Sequence, residues 1–415
     1  MKHLFLFTVN YPYEHGEHLL EYEINYLKKY FDTITIINNN KSTEIKYKIP
    51  LDINVIKIST ELKPLQKLFG FQGIFKFLFW QELWIIIFRY KQVPSFPIIL
   101  TLLNSITRGN FVKLKLKGLF RLYDNYDDEI YCYSWWITTM TIGFTMLKNE
   151  FKKIKTCSRA RAIDIYFEQN KNCYLPLRYY IYNNLDSVFF ISNQGKNYTL
   201  YKLKGLLNDS RFKIHRMGTL QNSKVEIKLS ENSYLRIVSC SDIIPLKRIN
   251  LIIDTLQKLN HYNIEWIHFG TGYLGKEIKY YAKLKLFDMK NIKYEFKGYL
   301  INAELLKYYA TNFVDLFVNL STTEGIPVSI MEAYSFGIPS IATDVGGVSE
   351  IVNEYNGVLI PKNCSAELIS QKIRDFIILP NDKKIELRRN AFETWRKEYN
   401  LQENFNCIAG EISRL

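Results

Sequence analysis

Two glutamates near the end of the chain have the spacing Glu-x7-Glu, with Glu324 in a predicted loop and Glu332 in a predicted helix. An ionised carboxylate only accepts hydrogen bonds, so it suits the paired hydroxyl groups of a sugar. Gly325 lets the backbone approach a ligand, and the N–H groups of Ile326 and Val328 at the predicted helix start favour an anion such as a diphosphate. Taken alone, Glu332 is equally consistent with an ordinary surface glutamate.

The elements that would position these groups can be predicted from the surrounding sequence. The apolar run Val314–Val318 predicts a buried strand, and a loop separates it from the helix. Pro327 fits the first helical position, where its missing N–H would have no partner anyway. Gly337 is expected to end the helix. Glu332 lies among apolar neighbours, so we expect it to be half-buried.

Composition indicates a globular protein of two domains, because 415 residues exceed one ordinary core and 47% of them are apolar. The six cysteines form no CxxC pair and no Cys/His cluster, so we expect reduced thiols in a cytosolic protein and no metal site. No stretch reaches the roughly 18 apolar residues of a membrane-spanning helix. The run Leu4–Thr8 predicts a first strand rather than a signal peptide.

Strands and helices alternate in both halves, which predicts an α/β protein with doubly wound parallel sheets. In the first half, a helix over about His18–Tyr30 lies between two strands, and a later strand covers Lys155–Ser158. The polar stretch 221–232 predicts a linker. The predicted domains are therefore 1–222, 223–390 and a C-terminal helical tail at 391–415.

The window 61–122 differs from the rest of the chain in charge and aromatic content. It carries ten basic residues against two acidic ones, and so contributes +8 of the net charge of +14. Its aromatic run Phe71–Phe88 predicts helices that lie on an anionic bilayer surface, with lysines such as Lys113, Lys115 and Lys117 supplying attraction. The alternative is a helical subdomain packed on the first sheet. No nucleic-acid motif accompanies the charge, so nucleic-acid binding is not expected.

The segment from Glu324 to Val352, EGIPVSIMEAYSFGIPSIATDVGGVSEIV, resembles the retaining glycosyltransferases of family 4. That resemblance implies the GT-B fold, in which two Rossmann-like domains face a central cleft. It also implies that Glu324 faces the donor sugar and that Glu332 binds the ribose hydroxyls of the nucleotide. The tail at 391–415 is then expected to cross back onto the first domain.

Other donor-binding residues in the second half follow from the same resemblance. Lys247 matches a lysine that contacts the donor diphosphate, although a lone loop lysine is often simply solvated. The family also has an arginine a few residues earlier, which is absent here, and Arg248 is the candidate replacement. Gly270 and Gly272 match a turn that lines the donor cleft, and the backbone around Tyr299 matches the segment that contacts the base.

The first half shows the clearest departure from the family pattern. The segment SRARAID, residues 158–164, resembles Arg-x-His-Gly-x-Asp, in which the histidine contacts the donor sugar. Arg161 takes the place of that histidine, and arginine can donate hydrogen bonds but cannot act as a base. It could neutralise a leaving phosphate, bind an acidic sugar or indicate a weakened enzyme. Gly16 matches the glycine-bearing loop that follows the first strand in this family. The alternative is that Gly16 is an ordinary turn residue.

The resemblance implies a retaining hexosyltransferase that uses a nucleotide-diphosphate sugar, needs no cofactor or metal, and builds a capsule, O-antigen or exopolysaccharide. The acceptor would be a glycan or a lipid-linked glycan, and an anionic membrane surface is a further expected partner, so the expected location is cytoplasmic and peripheral on the inner membrane face. The alternative is a non-catalytic GT-B subunit or glycan-binding scaffold, prompted by Arg161. Sequence leaves the sugar, base, acceptor and linkage open.

Overall fold

The structure is a computed structural model that describes residues 1–62, 74, 76–123, 128–148, 150–151, 153–221 and 224–415. The chain divides into two compact units, the first comprising residues 1–215 with 405–415 and the second residues 216–404. Part of the predicted linker and the predicted boundary after residue 222 lie outside the described residues, so that boundary stays a prediction.

The first unit contains a sheet of seven strands, all parallel in the described ranges, in the order β3-β2-β1-β4-β5-β6-β7. Its central strands are short apolar runs buried on both faces, as parallel sheets require. The strands are β1 Lys2–Thr8, β2 Thr33–Asn38, β3 Asn54–Lys57, β4 Glu129–Ser134, β5 Ile154–Ala160, β6 Ser187–Phe190 and β7 Phe212–Ile214.

Helices connect these strands and cover the sheet. In the described ranges they are α1 Leu20–Leu27, α2 Phe77–Phe88, α3 Phe96–Phe120, α4 Thr139–Thr145, α5 Ala162–Ile165, α6 Arg178–Asn184 and α7 Asn193–Lys202. The predicted helix over His18–Tyr30 was too long at both ends, because the residues on either side of α1 form isolated turns. The first part of the aromatic run Phe71–Phe88 lies outside the described residues, and α2 begins at Phe77.

The predicted strand Lys155–Ser158 was too short, and the difference matters for the arginines that follow it. Strand β5 continues through Arg159 to Ala160. The Arg159 side chain is therefore in the core, fully buried, where its guanidinium is 2.7 Å from the Glu23 carboxylate. Tyr133 and Trp135 donate further hydrogen bonds to the same carboxylate. Arg161, two residues later, is the first arginine beyond the strand.

Helices α2 and α3 pack into the core of the first unit through one face. Phe79, Ile85 and Ile86 of α2 are buried with the core side chains under the sheet. Glu82 of α2 is also buried, where it accepts hydrogen bonds from Tyr174 and the Leu177 N–H, and burial raises its pKa to about 7. This face of α2 therefore agrees with the alternative interpretation of the window 61–122, a helical subdomain packed on the first sheet.

The opposite face of α2 is open to solvent. Five large apolar side chains, hereafter the exposed aromatic face, lie along it at helical spacing: Phe77, Trp80, Trp84, Ile87 and Phe88. An apolar stripe of this size on a protein surface usually marks an interaction site. None of the helices in the described part of the chain combines the length and apolarity needed to cross a membrane.

The second unit contains a six-stranded sheet, again all parallel in the described ranges, in the order β10-β9-β8-β11-β12-β13. The predicted α/β architecture with two Rossmann-like sheets is thus confirmed. The strands are β8 Leu235–Cys240, β9 Ile264–Phe269, β10 Ile292–Gly298, β11 Leu316–Asn319, β12 Ser340–Thr343 and β13 Gly357–Ile360.

The helices of the second unit lie between these strands and after the last one. They are α8 Ile249–Gln257, α9 Gly275–Leu286, α10 Asn302–Thr311, α11 Val328–Tyr334, α12 Ala366–Ile378 and α13 Asn381–Thr394. A π-helical turn Trp395–Tyr399 then leads to α14 Leu401–Ile412, which belongs to the first unit from residue 405 onward. Because β8 connects outward through β9 while β11 connects outward through β12, the strand order reverses between β8 and β11. Open α/β sheets bind ligands in the crevice at this reversal point.

Candidate active site

The loops after β8 and β11 meet at the reversal point of the second sheet. Lys247 ends a single turn of 3₁₀ helix in the loop after β8, and Glu324 lies in the loop after β11. The Lys247 ammonium is 2.6 Å from Oε1 of Glu324. The N–H of Thr322 also donates to the Leu246 carbonyl at 2.8 Å, which joins the two loops through their backbones. The structure therefore brings together two residues predicted separately from the sequence.

The donors that hold Glu324 all point to one oxygen of its carboxylate. Besides Lys247, the Ser321 hydroxyl donates to Oε1 at 2.6 Å and the Asn319 amide lies at 3.5 Å from it. In the described part of the chain, Oε2 has no hydrogen-bond partner. The carboxylate is thus held in place by one oxygen while the other can accept hydrogen bonds from a ligand.

Two glycines of the loop after β12 set the position of Glu324. A Cβ on Gly346 would lie 1.8 Å from the Glu324 carbonyl oxygen, and Gly346 has a φ of +56°, where side chains are disfavoured. The Gly347 N–H donates to the Gly325 carbonyl at 2.9 Å. Gly325 itself faces open space at its missing Cβ. The Gly346–Gly347 pair therefore supports the backbone around Glu324 and Gly325.

The helix after this loop starts one residue later than predicted. Pro327 has an extended ψ of 119° and caps the helix, and Val328 is the first helical residue. The Pro327 carbonyl accepts the N–H groups of Ile330 and Met331, which is the normal role of a cap residue. The expectation that Pro327 occupies the first helical position was therefore wrong. Ile326 is buried and Val328 is exposed at the start of α11.

Glu332 is buried rather than half-buried, because both faces of α11 around it are covered. Its carboxylate accepts a hydrogen bond from the side-chain amide of Asn302, the first residue of α10. Burial raises the pKa of Glu332 to about 8, and the Asn302 bond lowers it by less. A buried carboxyl with so few partners is costly for the fold and is typical of functional sites. Burial also excludes the interpretation of Glu332 as a surface glutamate.

Arg248 contacts backbone carbonyls rather than open space. Its guanidinium donates to the carbonyls of Leu320, Ser321 and Lys362. Arg248 also has a left-handed backbone with φ of 49°. These bonds tie the loop after β8 to the loops after β11 and β13, so Arg248 holds the site together. Its predicted contact with a donor phosphate stays a prediction.

The glycines of the Gly-Thr-Gly turn after β9 are required by the backbone of the neighbouring loop. A Cβ on Gly270 would lie 1.9 Å from the Ser241 carbonyl oxygen, and one on Gly272 would lie 2.3 Å from that of Ile243. Close packing of two loops therefore accounts for both glycines. Tyr299, in the loop after β10, is exposed, and its predicted contact with the base stays a prediction.

The loop after β1 in the first unit is organised by Glu17, a residue that the sequence did not single out. Its buried carboxylate accepts hydrogen bonds from three consecutive N–H groups, those of Val9, Asn10 and Tyr11, at 2.8–3.1 Å to Oε2. Gly16 precedes it with a φ of +109°, so this glycine serves the turn. Burial raises the pKa of Glu17, and the backbone bonds and Arg161 lower it.

Arg161 lies at the end of β5 and begins the short helix α5. Its guanidinium carbon is 4.8 Å from the ring centre of Trp136, and its Nε is 3.6 Å from the Asp164 carboxylate. The Asp164 carboxyl is buried, which raises its pKa to about 6 against the opposing effect of Arg161. The arginine side chain is 38% exposed, so its outer N–H groups can reach a ligand.

The sequence identified the charged residues of these loops, but it did not identify the residues that hold the charged side chains in position. Ser321, Asn302, Glu17 and Trp136 had no motif of their own, because their roles depend on contacts between separate loops. The Gly346–Gly347 pair was the one visible signal, since adjacent glycines after a strand indicate close backbone packing.

Comparison with known proteins gives a family match within the second unit. Residues 221–397 match the family described as Glycosyl transferases group 1. The chain is 30% identical over 118 residues to the putative teichuronic acid biosynthesis glycosyltransferase TuaC of Bacillus subtilis, which covers 27% of this chain and 29% of TuaC. It is 30% identical over 153 residues to Protein CapJ of Staphylococcus aureus, covering 35% and 38%. The chain thus matches well under half the length of these curated relatives.

Two solved structures are similar over the full length of both chains. The apo form of the lipopolysaccharide outer core galactosyltransferase WaaB has a TM-score of 0.70 at 12% identity. Anabaena Alr3699/HepE, in complex with UDP and glucose, has a TM-score of 0.63 at 17% identity. Identities this low show the fold alone. Residues 221–397 accordingly match a glycosyl transferases group 1 domain, in a chain with the two Rossmann-like sheets of the GT-B fold.

Proposed function

We propose that this protein is a retaining glycosyltransferase that moves a hexose from a nucleotide-diphosphate sugar to a surface glycan. The observation that carries the proposal is the Lys247–Glu324 pair at the reversal point of the second sheet, with the buried Glu332 in the helix that follows. A putative teichuronic acid biosynthesis glycosyltransferase among the relatives, and UDP complexes among the similar structures, support the substrate class.

Three residues of the second unit have separate roles in donor binding. Lys247 exchanges its Glu324 partner for the donor diphosphate, whose two phosphates offer more negative charge than one carboxylate. Glu324, freed of that cation, accepts hydroxyl groups of the hexose through both oxygens. Glu332 accepts the ribose hydroxyls. Its buried position makes those hydrogen bonds strong, because water does not compete for the carboxylate.

In the proposed reaction the protein accelerates transfer mainly by stabilising charge on the leaving phosphate. In a front-face substitution the acceptor hydroxyl attacks the anomeric carbon from the side on which the nucleotide diphosphate leaves. The sugar–phosphate bond breaks, the new glycosidic bond forms, and the hydroxyl proton passes to the departing phosphate. Lys247 stabilises the growing phosphate charge, so we propose that transfer needs no metal ion.

A membrane-bound acceptor fits the exposed aromatic face of α2. Aromatic side chains with flanking cations are typical of helices that lie in the headgroup region of anionic bilayers. Lys76, Arg89 and Lys91 flank this face and are exposed. We therefore propose that the protein binds the inner membrane surface peripherally and acts on a lipid-linked glycan.

The structure changes which basic residues should matter for that binding. Lys113 and Lys117 of α3 both pair with Glu150 at 2.5 Å, and these bonds lower the Glu150 pKa to about 2. Their charges are therefore partly balanced within the protein. Arg89 and Lys91, next to the exposed aromatic face, are therefore better candidates for lipid contact than Lys113 and Lys117.

One observation favours a second candidate function, a non-catalytic glycan-binding subunit. Arg161 stands where the resembling family has a histidine, and an arginine cannot exchange protons in the reaction. Such a subunit would bind nucleotide sugars or glycans through the same residues without turnover.

A donor panel distinguishes the two candidates. The purified protein would be incubated with UDP-, GDP- and other nucleotide hexoses and a lipid-linked glycan acceptor, and release of nucleotide diphosphate would be measured. Turnover of one donor, with NMR showing that the product keeps the donor's anomeric configuration, is the expected result. An inverted product would contradict the retaining reaction, and nucleotide binding without any turnover would favour the non-catalytic subunit.

A further inference from the structure

A cluster of three different metal-binding side chains lies in the first unit, away from the loops described above. His215 directly follows the edge strand β7, and Cys407 and Glu411 lie on α14. The two helix residues are four positions apart, so their side chains share one helix face. One potential ligand atom from each residue lies within 4.8 Å of the other two. These residues are hereafter the His215–Cys407–Glu411 cluster.

We propose that the His215–Cys407–Glu411 cluster binds a zinc ion. Imidazole nitrogen, thiolate sulfur and carboxylate oxygen are the ligand types that zinc takes in proteins, in tetrahedral sets that water can complete. Bond lengths of about 2.0–2.3 Å place neighbouring tetrahedral ligand atoms roughly 3.3–3.7 Å apart. The His215 Nε2 and Glu411 Oε1 atoms are already 3.1 Å apart, so small side-chain rotations close the site.

The surroundings of the cluster support the two ligands that approach most closely. The Phe189 ring packs edge-on against the His215 ring at 5.0 Å between centres, which fixes the imidazole plane. The Lys213 ammonium is 2.7 Å from Glu411 Oε2, the oxygen that does not face His215. Lys213 can therefore keep this bond while Oε1 binds the metal, as outer hydrogen bonds to ligating carboxylates commonly do. The nearby buried Arg159 is paired with Glu23.

Zinc binding at this position would tie α14 to the edge of the first sheet. On coordination, the Cys407 S–H bond is replaced by an S–Zn bond, and the proton passes to solvent. Strand β7 is only three residues long and pairs on one side with β6 alone. The metal would add a cross-link between two segments far apart in sequence, so we expect it to stabilise the fold rather than to take part in sugar transfer.

Alkylation of the wild-type protein tests the proposal without any substitution. Full-length protein stripped with a chelator would be treated with iodoacetamide, with and without equimolar zinc, and each cysteine followed by mass spectrometry. Cys407 and Cys173 are both exposed thiols, and Cys173 is the internal control. We expect zinc to slow labelling of Cys407 at least tenfold and to leave Cys173 unchanged. Equal labelling of Cys407 with and without zinc would overturn the proposal.

Substitution tests the ligand set itself. Zinc affinity would be measured by competition with a chromophoric chelator for wild type, Cys407→Ser, His215→Ala and the control Cys173→Ser. We expect the first two variants to bind at least 100-fold more weakly and the control to match wild type. Cobalt bound to wild type should give a thiolate charge-transfer band that Cys407→Ser lacks. Wild-type affinity in Cys407→Ser, or the absence of that band in wild type, would show that the cluster binds no metal through Cys407.

Discussion

The two sheets of this protein have the same strand order around their centres, yet the carboxylates beside their reversal points have different partners. In the second sheet, Glu324 pairs with the side chain of Lys247 and keeps one oxygen without a partner in the described part of the chain. Beside the first sheet, the Glu17 carboxylate accepts hydrogen bonds from three backbone N–H groups of its own loop. A side-chain cation can move to a ligand, whereas backbone N–H groups cannot.

Position in the fold therefore does not by itself make a carboxylate functional. Glu17 satisfies backbone groups that would otherwise be buried without partners, so its task is to shape the loop. The Lys247–Glu324 pair has a partner that a diphosphate can replace. The first unit instead offers Arg161, whose guanidinium stacks on Trp136 and is partly exposed.

The largest effect is expected from Lys247→Met, which removes the mobile cation of the second sheet. Loss of one preorganised charge-stabilising donor costs on the order of 10²–10³-fold in turnover. Initial rates on the preferred donor would measure it, with exposed Lys290→Met as the matched control. If Lys247→Met and Lys290→Met have equal rates, the Lys247–Glu324 pair has no part in the reaction.

Arg161→Ala tests whether the first unit contributes a cation of its own. We expect a loss on the order of 10²-fold in turnover with the fold intact, because Arg161 is a partly exposed residue at a strand end. Arg161→His, which restores the residue of the resembling family, should change donor preference or rate. Creation of turnover by Arg161→His in an inactive wild type would show a natural non-catalytic protein, and unchanged rates in both variants would make Arg161 a surface residue.

Glu332→Gln should weaken nucleotide binding by about 1–3 kcal/mol, because the ribose hydroxyls lose a charged acceptor. The raised pKa of about 8 adds a pH signature. The hydroxyls bind the ionised form, so wild-type affinity at pH 7 should be about tenfold below that at pH 9, whereas the variant should show no such step. Calorimetry at both pH values measures this, and a wild type without the step would exclude Glu332 from ribose binding.

The same group affects stability in the opposite direction. Because burial raises the folded-state pKa of Glu332 above its unfolded value, the protonated form favours the fold, and this contribution is lost as pH rises through about 8. Glu332→Gln should therefore melt at a higher temperature than wild type at pH 9. Near pH 4, where both states of the wild type are protonated, the two melting temperatures should agree.

Glu17→Ala should lower the free energy of unfolding by about 1–3 kcal/mol, because three N–H groups lose their acceptor. Glu17→Gln keeps an acceptor oxygen at the same place and should cost less. Denaturant unfolding measures both variants, and nucleotide affinity should stay at the wild-type level in Glu17→Gln. A larger loss of nucleotide affinity than of stability in Glu17→Gln would mean that Glu17 contacts the ligand.

A further prediction concerns membrane binding. Arg89→Gln with Lys91→Gln should reduce binding to anionic vesicles by roughly 30-fold, since each basic residue near the surface contributes about 1 kcal/mol. Co-sedimentation measures this, with Lys113→Gln plus Lys117→Gln as the comparison pair already matched to Glu150. If vesicle binding is unchanged by the Arg89 and Lys91 substitutions and by rising salt, the exposed aromatic face does not contact lipid.

Sequence predicted the alternating architecture and most strands because apolar periodicity and glycine or proline punctuation are local signals. It predicted Lys247 and Glu324 in two separate loops, and their contact is seen only in the fold. Helix ends were less accurate, as at Pro327, because capping depends on a single backbone angle. The sequence shows no Cys/His cluster because His215 and Cys407 approach each other only through the fold. The expectation of no metal site stays a prediction.

Calorimetric titration of a nucleoside diphosphate panel into wild type, Lys247→Met and Glu332→Gln tests whether the reversal point of the second sheet binds the donor. We expect wild type to bind at least one nucleoside diphosphate and each variant to bind it at least fivefold more weakly, with Lys290→Met unchanged. Wild-type affinity in both variants would contradict a donor site at the reversal point of the second sheet.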